Sequence, residues 1–186
     1  MKVLVLYGTT EGQTRKIADF VTTRLKQRGD VVAMIDAADV PWDLLPSDYD
    51  AAVLAGSLHA GVYQSPLIHF AKKHHETLNK MPTAFLSVSL SAAGRDPEDV
   101  KGMVVCADLF RKETAWNPGD LYHIAGAFRF AEYDFFKRWM MKVIAWERGL
   151  KIGGALELEL TDWDALGKIA DTFHERARAR VTPTAA

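Results

Sequence analysis

Three short stretches hold most of the residues able to do chemistry, and all three are rich in small and hydroxylated side chains. The first, Thr9-Thr10-Glu11-Gly12-Gln13-Thr14, follows the apolar run Val3 to Tyr7 and Gly8, and it opens an amphipathic segment. Strand, tight turn and helix start in that order leave the first helical N–H groups unpaired at the positive end of the helix dipole, which suits a phosphate. Thr9, Thr10 and Thr14 add donors without adding charge, and Gly8 and Gly12 let the backbone approach an anion closely. Neither GxGxxG nor GxxxxGK[ST] is present, and no lysine stands where a triphosphate would need one. The loop therefore suits a single phosphate. An ordinary helix cap is the alternative, because Thr10-Glu11-Gly12-Gln13 also fits the S/T-x-x-E/Q capping box.

The second stretch is Ser57-Leu58-His59-Ala60-Gly61-Val62-Tyr63, and the third is Ser87-Val88-Ser89-Leu90-Ser91. His69, His74 and His75 invite a metal reading, but no Cys or Asp stands nearby at a ligand spacing and adjacent histidines diverge on a helix. No metal site is expected. Cys106, the one cysteine, falls within an expected helix and reads as a small buried apolar residue; it excludes an internal disulfide.

These stretches need elements to position them. Apolar runs at Val3–Tyr7, Val31–Ile35, Ala51–Ala55, Thr83–Ser87 and Leu121–Phe128 read as strands. The continuous Val31–Ile35 run reads as buried on both faces. Helices are expected over Gly12–Arg28, Ser65–Leu78, Pro97–Thr114 (with Val100, Val104 and Phe110 among its apolar positions) and about Asp162–Arg180. Strands alternating with helices give parallel strands joined by right-handed crossovers. The expectation is a three-layer, doubly wound α/β domain over 1–181, with an insertion at about 129–150 and a flexible tail at 182–186. In such a sheet, ligands sit beyond the carboxyl ends of the strands at the switch in strand order. The three small, hydroxylated stretches all fall there.

The chain has 186 residues, enough for one hydrophobic core; 48% hydrophobic and 25% charged residues fit a soluble globular protein. A net charge of −1 gives no case for nucleic acid. Met1-Lys2 leads straight into the first strand, so no signal peptide is expected, and no apolar run reaches bilayer length. The expected location is cytoplasmic. Whether the chain forms a homo-oligomer is left open by the residues.

The residues quoted so far resemble the flavodoxins, and this implies a five-stranded parallel sheet of order 2-1-3-4-5. Thr9 to Thr14 looks like the family's FMN phosphate loop; Asp48-Tyr49-Asp50 and the strand end Gly56-Ser57 are also typical of it. The resemblance implies that Ser57, Leu58, His59, Ala60, Gly61 and Tyr63, with Ser87, Val88, Ser89, Leu90 and Ser91, hold the isoalloxazine ring. Tyr63 could stack on that ring or simply pack at a helix start. Along nearly its full length the chain further resembles the flavodoxin-like protoporphyrinogen IX dehydrogenases of bacterial haem synthesis. The shared residues are Glu11 to Thr14, Met81-Pro82-Thr83-Ala84-Phe85 with Ser87-Val88, Trp116-Asn117-Pro118, Ile124 to Arg129, and Thr161-Asp162-Trp163. Flavodoxins usually carry a hydroxyl or amide where Glu11 stands, whereas an acid is usual in these enzymes.

That resemblance implies an FMN-dependent oxidoreductase that oxidises protoporphyrinogen IX and passes electrons to a membrane quinone, with flavin chemistry and no assigned acid-base residue. Arg95 and Arg129 are candidates to meet the porphyrin propionates, since Arg suits carboxylates geometrically. A soluble flavodoxin carrier and a flavin-dependent NAD(P)H:quinone reductase are the alternatives; near-neutral charge weighs against the first. Tyr133 to Arg148, projected on a helix, gathers Phe135, Phe136, Trp139, Met140 and Trp146 on one half and Lys137, Arg138, Lys142 and Arg148 on the other. Such a segment either packs on the protein's own core or lies in a membrane interface. The family's insertion at this place favours peripheral contact with the inner face of the cell membrane.

Overall fold

The computed structural model describes residues 1–94, 96–129 and 157–181, the side chains of 128, 129, 157 and 158 excepted. Its elements run β1 (Lys2–Gly8), α1 (Gln13–Gln27), β2 (Val31–Asp36), β3 (Ala51–Ser57), α2 (Ser65–Leu78), β4 (Thr83–Ser89), α3 (Pro97–Thr114), β5 (Asp120–Ala125), β6 (Ala127–Arg129), β7 (Glu157–Glu159) and α4 (Trp163–Val181). The first five strands form one parallel sheet of order β2-β1-β3-β4-β5.

Alternation along β1 explains the layering. Val3 and Val5 pack with Ile17, Val21 and Leu25 of α1 and with Leu166, Ala170, Phe173 and Ala177 of α4. Leu4 and Leu6 turn the other way, to Leu67 and Phe70 of α2 and Phe110 of α3. β1, β3 and β4 are thus buried on both faces, as parallel strands between helical layers must be.

Two expectations, the burial of β2 and the end of the fifth strand, fail in instructive ways. β2 is not buried on both faces: it is the sheet edge, its residues are half-buried, and Val31 is 70% exposed. Its connection to β3 carries only two short 3₁₀ turns, Ala37–Asp39 and Pro46–Asp48, instead of a covering helix. Val100 and Val104 of α3 face outward, while Met103, Ala107, Phe110 and Thr114 form its inner side. The fifth strand ends at Ala125, not Phe128. At Gly126 the carbonyl accepts from Leu160 N (3.0 Å), and Ala127–Arg129 pairs antiparallel with the returning Glu157–Glu159.

α1 and α4 are joined by charge as well as packing. Arg24 donates from Nε to Asp171 Oδ1 at 3.0 Å and from Nη2 to Oδ2 at 2.7 Å, and Arg28 donates to Glu175 at 2.9 Å. The hydrogen bond from Arg24 holds the Asp171 carboxyl below the usual carboxylate range, against the smaller opposing effect of burial. A carboxyl that is a stronger acid when folded adds stability above its ordinary pKa, and that share is lost as pH falls through the folded value. Asp171→Asn is therefore expected to lower the urea midpoint at neutral pH and to converge with the wild type in acid. Midpoints that run parallel at every pH would show that the pair contributes nothing.

Candidate functional site at the carboxyl ends of the strands

β1 ends at Gly8, and the chain turns over Thr9 to Gly12 before α1 begins. Thr9 Oγ1 accepts from Gly12 N at 2.9 Å, closing the turn, and Gly12 stands at φ +92°, a conformation that a side chain resists. The first helical bond is Lys16 N to the Gly12 carbonyl, at 3.2 Å. The N–H groups of Gln13, Thr14 and Arg15 precede it, and no side chain caps the helix. The capping box read from Thr10 to Gln13 does not form. Gln13 is buried and instead donates from Nε2 to Thr161 Oγ1 (2.9 Å), which donates to the Ala125 carbonyl (2.7 Å). That chain of bonds ties the start of α1 to the end of β5.

The decisive atom is Thr14 Oγ1, buried at the second position of α1 with no hydrogen-bond partner among the described residues. A buried hydroxyl without a partner is costly. An anion accepting from it and from the neighbouring N–H groups would satisfy all of them, so the residues present fit a phosphate. Glu11 is exposed, and the first turn of α1 contains no acid.

The second stretch folds back on itself. His59 and Val62 exchange backbone bonds (3.0 and 3.1 Å) across Ala60 (φ 50°) and Gly61 (φ 83°), the paired positive φ values of a type I′ turn. Leu58 N donates to the Val88 carbonyl at 2.7 Å, stitching this hairpin to the third stretch. Below it, Gly56 leaves room for its neighbours: a Cβ there would stand 2.6 Å from Leu67 Cδ2 and 3.0 Å from Tyr63 Cδ1.

Tyr63 takes the packing role of the two considered for it. Its ring is buried edge-on against Phe85 (5.1 Å) and Phe110 (5.0 Å), and its hydroxyl pairs with Ser87 Oγ at 2.8 Å. Burial pushes the phenol up to about 12, so it stays protonated. Ser87, Val88 and Ser89 lie within β4 with their side chains buried; Ser89 Oγ accepts from Ala92 N (3.2 Å). Leu90 and Ser91 are half-buried at the strand's end.

Sequence reasoning missed Gln64. Its amide bridges Thr10 and Ser57, far apart in sequence, and no local pattern announces it. Cys106 is half-buried, not buried: with Gly61, Val62, Ile68 and Leu109 it lines an apolar groove of about 460 Å³ on the flank of the hairpin. His75 Nδ1 lies 2.8 Å from the Lys72 carbonyl and His74 packs on Phe70, its pKa lowered by burial and then by Lys73. Among the described residues no group of three His, Cys, Asp or Glu could hold a metal ion. Arg95 and the apolar-basic segment 133–148 lie outside the described residues, and Arg129 is placed by its backbone alone, opposite Glu157. Among the described residues, no helix is long and apolar enough to cross a membrane.

Three comparisons bear on this geometry. Residues 4–151 match the family model described as Flavodoxin domain. The chain is 35% identical over 174 residues to the protoporphyrinogen IX dehydrogenase [quinone] of Escherichia coli, covering 91% of this chain and 93% of that one. Among solved structures, it resembles the oxidised flavodoxin 1 of Bacillus cereus (TM-score 0.57, 12% identity, 94% of this chain and 98% of that chain). It also resembles a Fusobacterium nucleatum flavodoxin bound to flavin mononucleotide (TM-score 0.52, 9% identity, 96% and 98%). At such identities the structural likeness speaks for the fold alone.

Proposed function

The chain belongs to the Flavodoxin domain family, and on that footing we propose that it is an FMN-dependent protoporphyrinogen IX dehydrogenase with a quinone as electron acceptor. The observation that carries the cofactor reading is the buried Thr14 hydroxyl, without a partner among the described residues, beside the open first turn of α1. The substrate and the acceptor rest on the likeness to the Escherichia coli enzyme over most of both chains.

When bound, FMN supplies the two-electron chemistry. The chain's own residues do the rest. The phosphate is held by the N–H groups of Gln13, Thr14 and Arg15 and by the Thr14 hydroxyl. The 57–63 hairpin and the end of β4 at Leu90 and Ser91 flank the ring. Porphyrinogen and quinone reach it from the solvent side of those loops; Arg95 and Arg129 are offered to the propionates on their chemistry alone. No side chain is assigned a proton.

The test is anaerobic. Protoporphyrinogen IX added to the FMN-loaded chain is expected to bleach the oxidised flavin, and a quinone added afterwards to restore it. Bleaching by NADH with none by the porphyrinogen would overturn this reading in favour of an NAD(P)H:quinone reductase. A purified chain that takes up no FMN would remove the redox reading altogether.

The proposal includes reversible membrane contact through 133–148, on the strength of its apolar half and basic rim. Sedimentation with anionic liposomes is expected to carry down the wild type and to lose Trp139→Glu. Equal pelleting of the two would end this part of the proposal.

A further inference from the structure

We propose that Gln64 is a positioning residue that locks the phosphate loop to the ring loop and turns their hydroxyls outward as donors, a role that rests on the FMN reading above. Its carboxamide is used at both ends. Oε1 accepts from Ser57 N at 3.1 Å. Nε2 donates to Thr10 Oγ1 at 3.0 Å and to the Ser57 carbonyl at 3.0 Å, and Ser57 Oγ is within reach of the same nitrogen. The two hydroxyl oxygens stand 3.4 Å apart.

Why a bridge is needed follows from the sheet. β1 and β3 are neighbours, with Gly8 opposite Gly56, so the loops after them leave the sheet side by side. No backbone ladder continues beyond that register, and the loops would otherwise splay. Gln64 reaches across directly over Gly8: a Cβ at Gly8 would come within 2.9 Å of Gln64 Oε1 and 3.1 Å of its Cβ. The glycine at the end of β1 is therefore the space that this side chain occupies.

The direction of the bonds gives the chemistry. A hydroxyl carries one hydrogen and two lone pairs. Nε2 has two hydrogens and no lone pair to offer: one goes to Thr10 Oγ1 and the other is shared between the Ser57 carbonyl and Ser57 Oγ, so both hydroxyl oxygens act as acceptors. Even if one hydroxyl donates to the other, one O–H remains for an anion in front of the loops. Only an amide does both jobs: an ionised carboxylate has no hydrogen to give, and leucine has neither a donor nor an acceptor.

The experiment measures dissociation constants of FMN and of riboflavin, which lacks the phosphate, by flavin fluorescence with the flavin-free full chain. Gln64→Leu is expected to raise the FMN constant roughly tenfold, the loss that one or two hydrogen bonds account for. Riboflavin should change much less. Gln64→Glu keeps the size of the side chain; its FMN binding is expected to be weakest at alkaline pH and to recover toward the wild type, measured at the same pH, as the new carboxyl takes up a proton. Equal losses for both flavins in Gln64→Leu, or a Gln64→Glu chain that tracks the wild type at every pH, would overturn the proposal. Should Gln64→Leu not fold, Gln64→Glu carries the test alone. A wild type that binds neither flavin would overturn the cofactor reading itself, and this inference with it.

Discussion

Thr14→Val is expected to weaken FMN binding ten- to a hundredfold while leaving the folded chain as stable as before or more so. The two effects have opposite signs because the same atom has two environments. Thr14 Oγ1 is buried without a partner among the described residues. Removing such a hydroxyl while keeping the branched shape relieves a desolvation cost on the order of 1 kcal/mol. Against a phosphate the hydroxyl makes a charge-assisted hydrogen bond, worth about 1.5–3 kcal/mol, which is the stated loss in affinity. Fluorescence titration with FMN, with riboflavin as the control, reads the first effect; urea unfolding of the flavin-free chain reads the second. FMN binding unchanged in Thr14→Val would take this residue out of the phosphate site.

Phe85→Ala has the largest effect expected on stability, a loss of about 3–5 kcal/mol. Phe85 is fully buried in the middle of β4. Its ring lies stacked on Phe110 at 4.7 Å, with Tyr63 at 5.1 Å and Trp116 at 5.7 Å edge-on. Deleting it removes transfer free energy and also leaves a void that three other rings cannot close without leaving their own contacts. For a chain of this size the melting temperature should fall by on the order of 10 °C. Saturating FMN should recover part of that loss, because a ligand bound only by the native state shifts the unfolding equilibrium. A urea-derived loss below about 1 kcal/mol would mean that the cluster repacks, and would remove Phe85 as the support beneath Tyr63 and the hairpin.

What was legible in the sequence was local. The bounds of α2 and α3 could be read because Pro66 and Pro97 each sit at the first turn, and Asp96 Oδ1 accepts from Glu98 N at 3.0 Å as a cap. The strand, turn and helix start around Thr9 to Thr14 could be read because their pattern lies within a few residues. Burial of β2 could not: an apolar edge strand and an apolar central strand look alike, and only the sheet order separates them. Nor could the inner side of α3 be read from Val100 and Val104, since valine is apolar on either side of a helix. Gln64 and Thr161 were hidden for a different reason. Their partners, Thr10 and Gln13, lie beyond any window in which a pattern repeats.

The parallel ladder also sets the order in which the chain can assemble. Each registered pair, Val3 with Val32, Val3 with Ala51, Ala52 with Thr83 and Ala84 with Asp120, joins residues separated by an entire crossover. No two neighbouring strands of this five-stranded sheet can zip from a hairpin, so loop-closure entropy must be overcome before any of its ladder bonds forms, and such topologies fold slowly. β1 lies between β2 and β3 and leaves the ribosome before either. Its side facing β3 has no strand partner until β3 has been synthesised, an unpaired apolar edge of the kind that favours aggregation.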